Sequence, residues 1–424
     1  MSILWRDAMR QALYGPDGFF VSGTGPADHF RTSVHASPAF AAALLRLVTE
    51  VDAALGHPDR LDVVDVGAGR GELLHALLAS VGVAVGVSGE PARSGRSGLI
   101  PPRAGSPETL TSTTSARPSL AERIRFTAVE YAHRPENLPE EINWTSEIPA
   151  KITGVLLATE WLDNVPLNVA VHTEDGWRYV LVDPESGVEA IGEQVSSDDL
   201  DWLTTWWPSP ARPPDSAPNP EATRADATSG VTWTDATREG ESGFGAARPA
   251  QGSSLTARSR PGCPETPHGD QTRAEIGRTR DEAWANAVQK IEQGMAVAVD
   301  YGHLREARPV DGTLTGYRGG RQVPPVPDGS SDVTAHVAMD SVASAGAAVA
   351  RCAYSLVLQR EALRALGADG GRPPLSLAGT DPVGYVRALA AASAVAELTD
   401  PAGLGGHWWL RQPVGIPLGP AVAR

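Results

Sequence analysis

The stretch VVDVGAGRGELL, residues 63–74, carries Gly67, Gly69 and Gly71 at alternate positions, with Asp65 two residues ahead of the first. Glycines let a backbone bend sharply and approach a ligand with no Cβ in the way. The spacing is G-x-G-x-G. A dinucleotide turn reads G-x-G-x-x-G and faces a pyrophosphate with a helix N-terminus. A strand-to-helix turn that used glycine for tight packing alone would share this composition. A ribose-bearing ligand needs a further acid, at the end of the next strand, to accept sugar hydroxyls. Glu130 in FTAVEYA holds that place. It lies about sixty residues beyond Gly71, where such folds use about twenty to thirty-five, so an insertion must separate the two.

A second pair of acids follows another apolar run. VLLATEWLDNVPLNV puts Glu160 and Asp163 just past it. In open α/β sheets ligands bind at the carboxyl ends of strands, so both acids would face the cleft. Two carboxylates there suit a cationic group, which they could orient by charge-assisted hydrogen bonds. Equally, Asp163 or Asn164 caps a turn and Glu160 is a surface residue. Asp300 ends a later apolar run. Asp332 and His336 stand four apart, the spacing of one helical face. No third metal ligand has a diagnostic spacing, so they are expected to structure and cap a loop, and no metal is expected.

These groups need elements to hold them. LDVVDVG (61–67) reads as a strand and GELLHALLASV (71–81) as a helix. RIRFTAVEYA (123–132), KITGVLLATEWLDNVP (151–166), WRYVLVD (177–183) and GMAVAVDYG (294–302) read as strands. AEIGRTRDEAWANAVQKIEQG (274–294) repeats Ile276, Trp284, Val288 and Ile291 at helical steps, with Gly294 as its stop. VARCAYSLVLQ (349–359) and GGHWWLRQPVG (405–415) read as strands around a helix over 385–398. Strands alternating with helices predict an α/β fold with a doubly wound, mostly parallel sheet.

The 424 residues divide unevenly. Residues 86–119 and 208–272 are poor in large apolar side chains and cannot offset the entropy of ordering, so both are expected to be flexible insertions. Trp233 and Phe244 are isolated in the second. This predicts an N-terminal helical segment (1–50), a first part of the main domain (51–207), and a second part (273–424) that includes a Gly/Pro-rich loop at 303–337. A net charge of −15 argues against general nucleic-acid binding. Two cysteines, Cys263 and Cys352, make no disulfide framework. No signal peptide or membrane span is evident, and a cytoplasmic setting is expected.

With Asp65, the D-x-G-x-G-x-G turn resembles motif I of class I S-adenosylmethionine-dependent methyltransferases. Further blocks narrow the likeness. WRDAMRQALYGPDGFF (5–20), FRTSVHASPAF (30–40), AVEYA (128–132), ATEWLDNVP (158–166), AVDYGH (298–303), DGTLTGY (311–317) and SSDVTAHV (330–337) resemble the MidA family in order. That family is methyltransferase-fold and includes the mitochondrial complex I assembly factor with protein-arginine methyltransferase activity. The resemblance implies a class I, Rossmann-like fold, with an N-terminal helical extension and inserted substrate-side elements. It implies S-adenosyl-L-methionine as cofactor and an arginine-containing protein as substrate. By position, Asp65, Gly67, Gly69, Gly71 and Glu130 would hold the cofactor, Thr32 and Ser33 would lie near cofactor or acceptor, and Glu160 and Asp163 would act in catalysis. The chain departs from the family at Val34 and His35, and at Thr159, where the family has Asn. These departures bear on the acceptor more than on the cofactor. A scaffold that keeps the fold with little turnover is the alternative. A nicotinamide-dependent dehydrogenase is disfavoured by the glycine spacing.

Overall fold

The computed structural model describes residues 1–22, 33, 38–87, 118–207, 272–368 and 370–417. Thr32, Val34, His35, Trp233, Phe244, Cys263 and almost all of both expected insertions lie outside them.

The chain opens with β1 (Ile3–Leu4) and α1 (Trp5–Tyr14). Trp5, Ala8, Met9, Ala12 and Leu13 repeat at three- and four-residue steps and are all buried, the pattern of a helix with one apolar face. Gly15 ends it, and Phe19–Ser22 makes one more helical turn. After α2 (Pro38–Ala54) come β2 (Leu61–Val66), α3 (Glu72–Val87), β3 (Ile124–Val129), β4 (Ile142–Thr145) and β5 (Ile152–Thr159). Three strands, β6 (Asn168–Thr173), β7 (Gly176–Val182) and β8 (Glu189–Gln194), precede α4 (Ser197–Trp206). Beyond residue 272 run β9 (Arg273–Ile276), α5 (Arg278–Gln289) and β10 (Ile291–Asp300).

The main sheet has seven strands. Five are parallel, in the order β10-β5-β2-β3-β4. The chain starts in the middle at β2, moves outward to β4, then returns to the other side at β5. That reversal between β2 and β5 is a topological switch point, where such sheets open a crevice at their carboxyl ends. The strand sequences explain the sheet's depth. Val63, Val155 and Val297 face a core shared with Leu44, Leu47, Leu74 and Leu77. Val64, Leu156 and Ala296 face the other way, against Trp284 and Val288. Near-continuous apolar runs are what burial on both faces requires.

Smaller elements complete the molecule. A separate antiparallel sheet runs β1-β7-β6-β9, with β8 on β7, and α1 packs its apolar face on it. WRYVLVD therefore belongs outside the main sheet. β11 (Gly302–His303) pairs with β15 (Val337–Ala338), while β12 (Thr315–Arg318), β13 (Arg321–Val323) and β14 (Asp332–Thr334) form a three-stranded sheet. Then follow α6 (Met339–Ala350), β16 (Ser355–Leu358), α7 (Pro382–Leu398) and β17 (Trp408–Val414), which runs antiparallel to both β10 and β16.

Three expectations change. The helix expected over 274–294 is strand, helix and strand, so Ile276 and Ile291 belong to β9 and β10. Gly294 is no helix stop: it sits inside β10 opposite Gly154, and a Cβ on it would lie 1.8 Å from the Gly154 carbonyl oxygen. Two strands meet too closely there for any side chain. Residues 349–350 end α6, and the strand behind them shortens to Ser355–Leu358. Asp332 and His336 do not share a helical face; Asp332 is in β14, and its partner is Asn164.

Candidate active site

The carboxyl ends of β2, β3, β4 and β5 converge on a cavity of about 390 Å³. The glycine turn forms one wall. Gly67, Gly69 and Gly71 have φ of +72°, +58° and +81°, a region that glycine enters without strain. The turn is also crowded. A Cβ on Gly67 would meet the Trp161 ring at 2.8 Å, and one on Gly71 would meet Leu138 at 2.7 Å. The Gly67 and Ala68 amides donate to the Val129 carbonyl at 3.0 and 3.3 Å. Gly69 donates to Glu130 Oε2 at 3.0 Å, and Tyr131 donates to Glu130 Oε1 at 2.7 Å. Glu130 thus ties the turn to the end of β3 while lining the cavity. The Ala132 amide bonds this carboxylate as well, and its remaining lone-pair capacity is open to a ligand hydroxyl.

Asp65 is the penultimate residue of β2 and is 3% exposed. Burial first, then the charges of Glu72 and Glu130, push its carboxyl up to about 8. A cation entering the cavity would relieve that penalty. Six acids line the cavity: Asp65, Glu72, Glu130, Glu147, Glu160 and Asp163. Lys290 is the lone Lys or Arg among the described residues lining it. Such a wall favours positive ligands and repels pyrophosphate.

The acids after β5 have distinct settings. Glu160 takes a left-handed backbone, φ +51°, and its amide donates to the Val299 carbonyl at 2.8 Å. Its Oε1 accepts the Ser33 amide at 3.0 Å. Asp163 lies in the short 3₁₀ turn Leu162–Asn164 and does not cap it. Its Oδ2 accepts from the Tyr301 hydroxyl and from Thr334 Oγ1, the latter at 2.7 Å. Its Oδ1 is buried with no hydrogen-bond partner among the described residues. Burial raises its pKa, opposed by those hydroxyls and by the Arg280 charge.

Asp300 and Asp332 shape this turn, as loop-structuring residues should. Asp300 Oδ2 accepts the Leu162 and Asp163 amides at 3.0 and 3.3 Å. Asp332 Oδ1 accepts Asn164 Nδ2 at 2.6 Å. Arg280 is 1% exposed and binds the carbonyls of Asp163, Val165, Ala335 and His336. Its charge opposes the burial penalty on Asp163 and Asp300. Among the described residues, no group of three or more His, Cys, Asp or Glu is arranged to hold a metal ion.

Ser33 was expected near cofactor or acceptor. It is fully buried, joins Gln359 through its hydroxyl, and stands behind Glu160 without lining the cavity. Gly71 lines a neighbouring cavity that shares Gly69, Glu72 and Glu130. Several lining residues carried no legible signal: Tyr14, Phe20, Tyr131, Trp161, Glu147 and Lys290. Tyr14 stacks on Phe20 at 5.6 Å and meets the edge of Tyr131 at 5.6 Å. The ALYGPDGFF block supplies two of these rings, and the sense of that block was visible only once α1 had a place to dock.

Residues 104–356 match the model of a protein family described as "Putative S-adenosyl-L-methionine-dependent methyltransferase". The chain belongs to this methyltransferase family. Its cofactor is S-adenosyl-L-methionine, and the match spans Glu130, Glu160, Asp163 and Asp300, beginning after the glycine turn. Two solved structures share the methyltransferase's fold across 100% of the chain. One is a COG1565 superfamily member from Burkholderia thailandensis bound to S-adenosyl-homocysteine, with TM-score 0.64, 19% identity and 91% of that chain covered. The other is an uncharacterised COG1565 superfamily protein from the same organism, with TM-score 0.62, 18% identity and 90% covered. No curated protein matches the chain. No helix among the described residues of the methyltransferase is long and apolar enough to cross a membrane.

Proposed function

We propose that this methyltransferase transfers a methyl group to a nitrogen of a protein arginine side chain. In this reading Asp65, Gly67, Gly69, Gly71 and Glu130 hold the cofactor, and Glu160 and Asp163 face the acceptor. One observation carries it: the cavity at the switch point is walled by glycine turn on one side and by six acids around it. Bound there, S-adenosyl-L-methionine supplies a methyl group already activated by its sulfonium charge.

The protein's contribution is positioning and exclusion of water. Glu130 offers its free lone pairs to the ribose hydroxyls, and Asp65 complements the cofactor's amino group. Tyr14, Phe20 and Tyr131 are aromatic faces over which a guanidinium can lie. Glu160 orients that guanidinium by charge-assisted bonds. Asp163, held by Tyr301 and Thr334, turns its unpartnered Oδ1 to the same purpose. The MidA-like blocks support arginine as the acceptor, and a cytoplasmic setting belongs to the same reading.

The test uses tritiated S-adenosyl-L-methionine and a pool of arginine-containing peptides, read by mass spectrometry. Methylarginine in a peptide supports the proposal. Transfer to other side chains alone, or no transfer, sinks it. In Asp163→Asn, transfer falls about tenfold or more, while calorimetry gives nearly unchanged affinity for S-adenosylhomocysteine. Equal loss of both refutes the role given to Asp163.

A further inference from the structure

Methylating a guanidinium releases one proton, and a buried histidine behind the cavity wall has no part in the roles above. His407 stands directly behind Glu160, at the start of β17. Its Nδ1 lies 4.0 Å from Glu160 Oε1, and the two side chains are 12% and 9% exposed. That Nδ1 is buried and makes no hydrogen bond to a described residue. A protonated Nδ1 beside a carboxylate would be expected to close the gap and donate. The gap fits a bare nitrogen facing an oxygen.

Among the described residues, the groups facing His407 are few. Glu160 faces it from the end of β5. Tyr301, just past β10, has its ring 5.6 Å away. His336, past β14, repels charge on it. Glu160 itself feels Asp300 and Asp332, which its charge pushes up. Burial, with His336 adding to it, pushes His407 down to about 4, so its imidazole is neutral near pH 7.

We infer that His407 takes the acceptor's proton from Glu160 and passes it to water, making the pair a proton path out of the site. The inference rests on the arginine reading above. The acceptor nitrogen forms its bond to the methyl carbon as the carbon–sulfur bond breaks, and that electron pair stays on sulfur. The attacked nitrogen becomes strongly acidic as the new bond forms, so a weak base suffices. Its proton moves to Glu160, then to Nδ1 of His407; the imidazolium gives its Nε2 proton to water, and the ring exchanges back to the Nε2–H tautomer before the next turnover. His407 acts through Glu160 and is a positioning and relay residue.

Two measurements test this, and the first needs no acceptor. In protein labelled with ¹⁵N-histidine, the His407 signals are those missing in His407→Gln. Near neutral pH they should report a bare Nδ1 and a protonated Nε2. A proton resident on Nδ1 overturns the path. The second compares rates on a peptide methylated in the pool assay. His407→Gln should lose about tenfold or more in kcat, with KM and S-adenosylhomocysteine affinity kept within about twofold. Wild type should be flat between about pH 6 and 9, while the variant's deficit shrinks as rising pH lets solvent take the proton. A uniform loss at every pH, or no loss, overturns the relay; His407→Asn repeats the comparison if the first variant folds poorly. If no peptide is methylated, the arginine reading fails, and the nitrogen signals still decide where the proton of His407 sits.

Discussion

Asp65 is a carboxyl kept protonated by its surroundings. Burial, then the charges of Glu72 and Glu130, push it up to about 8 in the folded chain, well above an ordinary aspartate. A group raised on folding stabilises fully below its unfolded pKa, and that contribution is lost as pH rises through the folded value. The ligand-free protein should therefore melt at lower temperature as pH climbs from 6 towards 9, and Asp65→Asn should flatten that slope. A cationic ligand favours the ionised carboxyl, so cofactor binding near pH 7 should expel about one proton. Calorimetry in buffers of different ionisation enthalpy counts it. Equal proton release by wild type and Asp65→Asn would assign the proton elsewhere.

At the scale of elements, the parallel strands are held at close quarters through Gly154 and Gly294. Their φ values are +146° and +142°, and each leaves no room for a Cβ. Gly294→Ala should cost about 3 kcal/mol or more, read as a lower urea midpoint; a variant as stable as wild type would mean that the strands can part. This pair also marks a limit of legibility. From sequence, Gly294 resembles a helix stop, because a glycine after an apolar-periodic run has two meanings that only the neighbouring strand separates. The strand–glycine–helix unit at 61–81 was legible, since its apolar run and its turn chemistry agree. So was the location of Glu130, Glu160 and Asp163 beyond apolar runs that became β3 and β5. His407 was not: one histidine before an apolar run says nothing until β17 is laid beside β10. Tyr301, Thr334 and Ser33 likewise act through contacts hundreds of residues apart in some cases, and no local pattern encodes those.

Across the molecule, the two stretches flanking 208–271 are stitched together. β6 pairs with β9, His172 donates to the Thr272 carbonyl at 2.9 Å, and Trp207 shares a core with Ala274 and Ile276. Closing a loop between such points costs little more when it is shorter or longer. Replacing 208–271 with a short Gly/Ser linker should keep the melting temperature within about 4 °C and leave S-adenosylhomocysteine binding intact. A collapse of either would show that these residues contribute to the body.

Glu160 leaves one more mark on the whole protein. A non-glycine residue at φ +51° bears about 1 kcal/mol or more of backbone strain, and asparagine or glycine would bear less. Glu160→Gly should thus recover part of the strain energy even as it loses the Ser33 bond and the methyl transfer. Selecting variants by heat resistance alone would drift away from the carboxylate. If Glu160 holds the acceptor as proposed, a thermostabilised version of this chain should therefore be screened for turnover in every round, since durability and activity would pull position 160 in opposite directions.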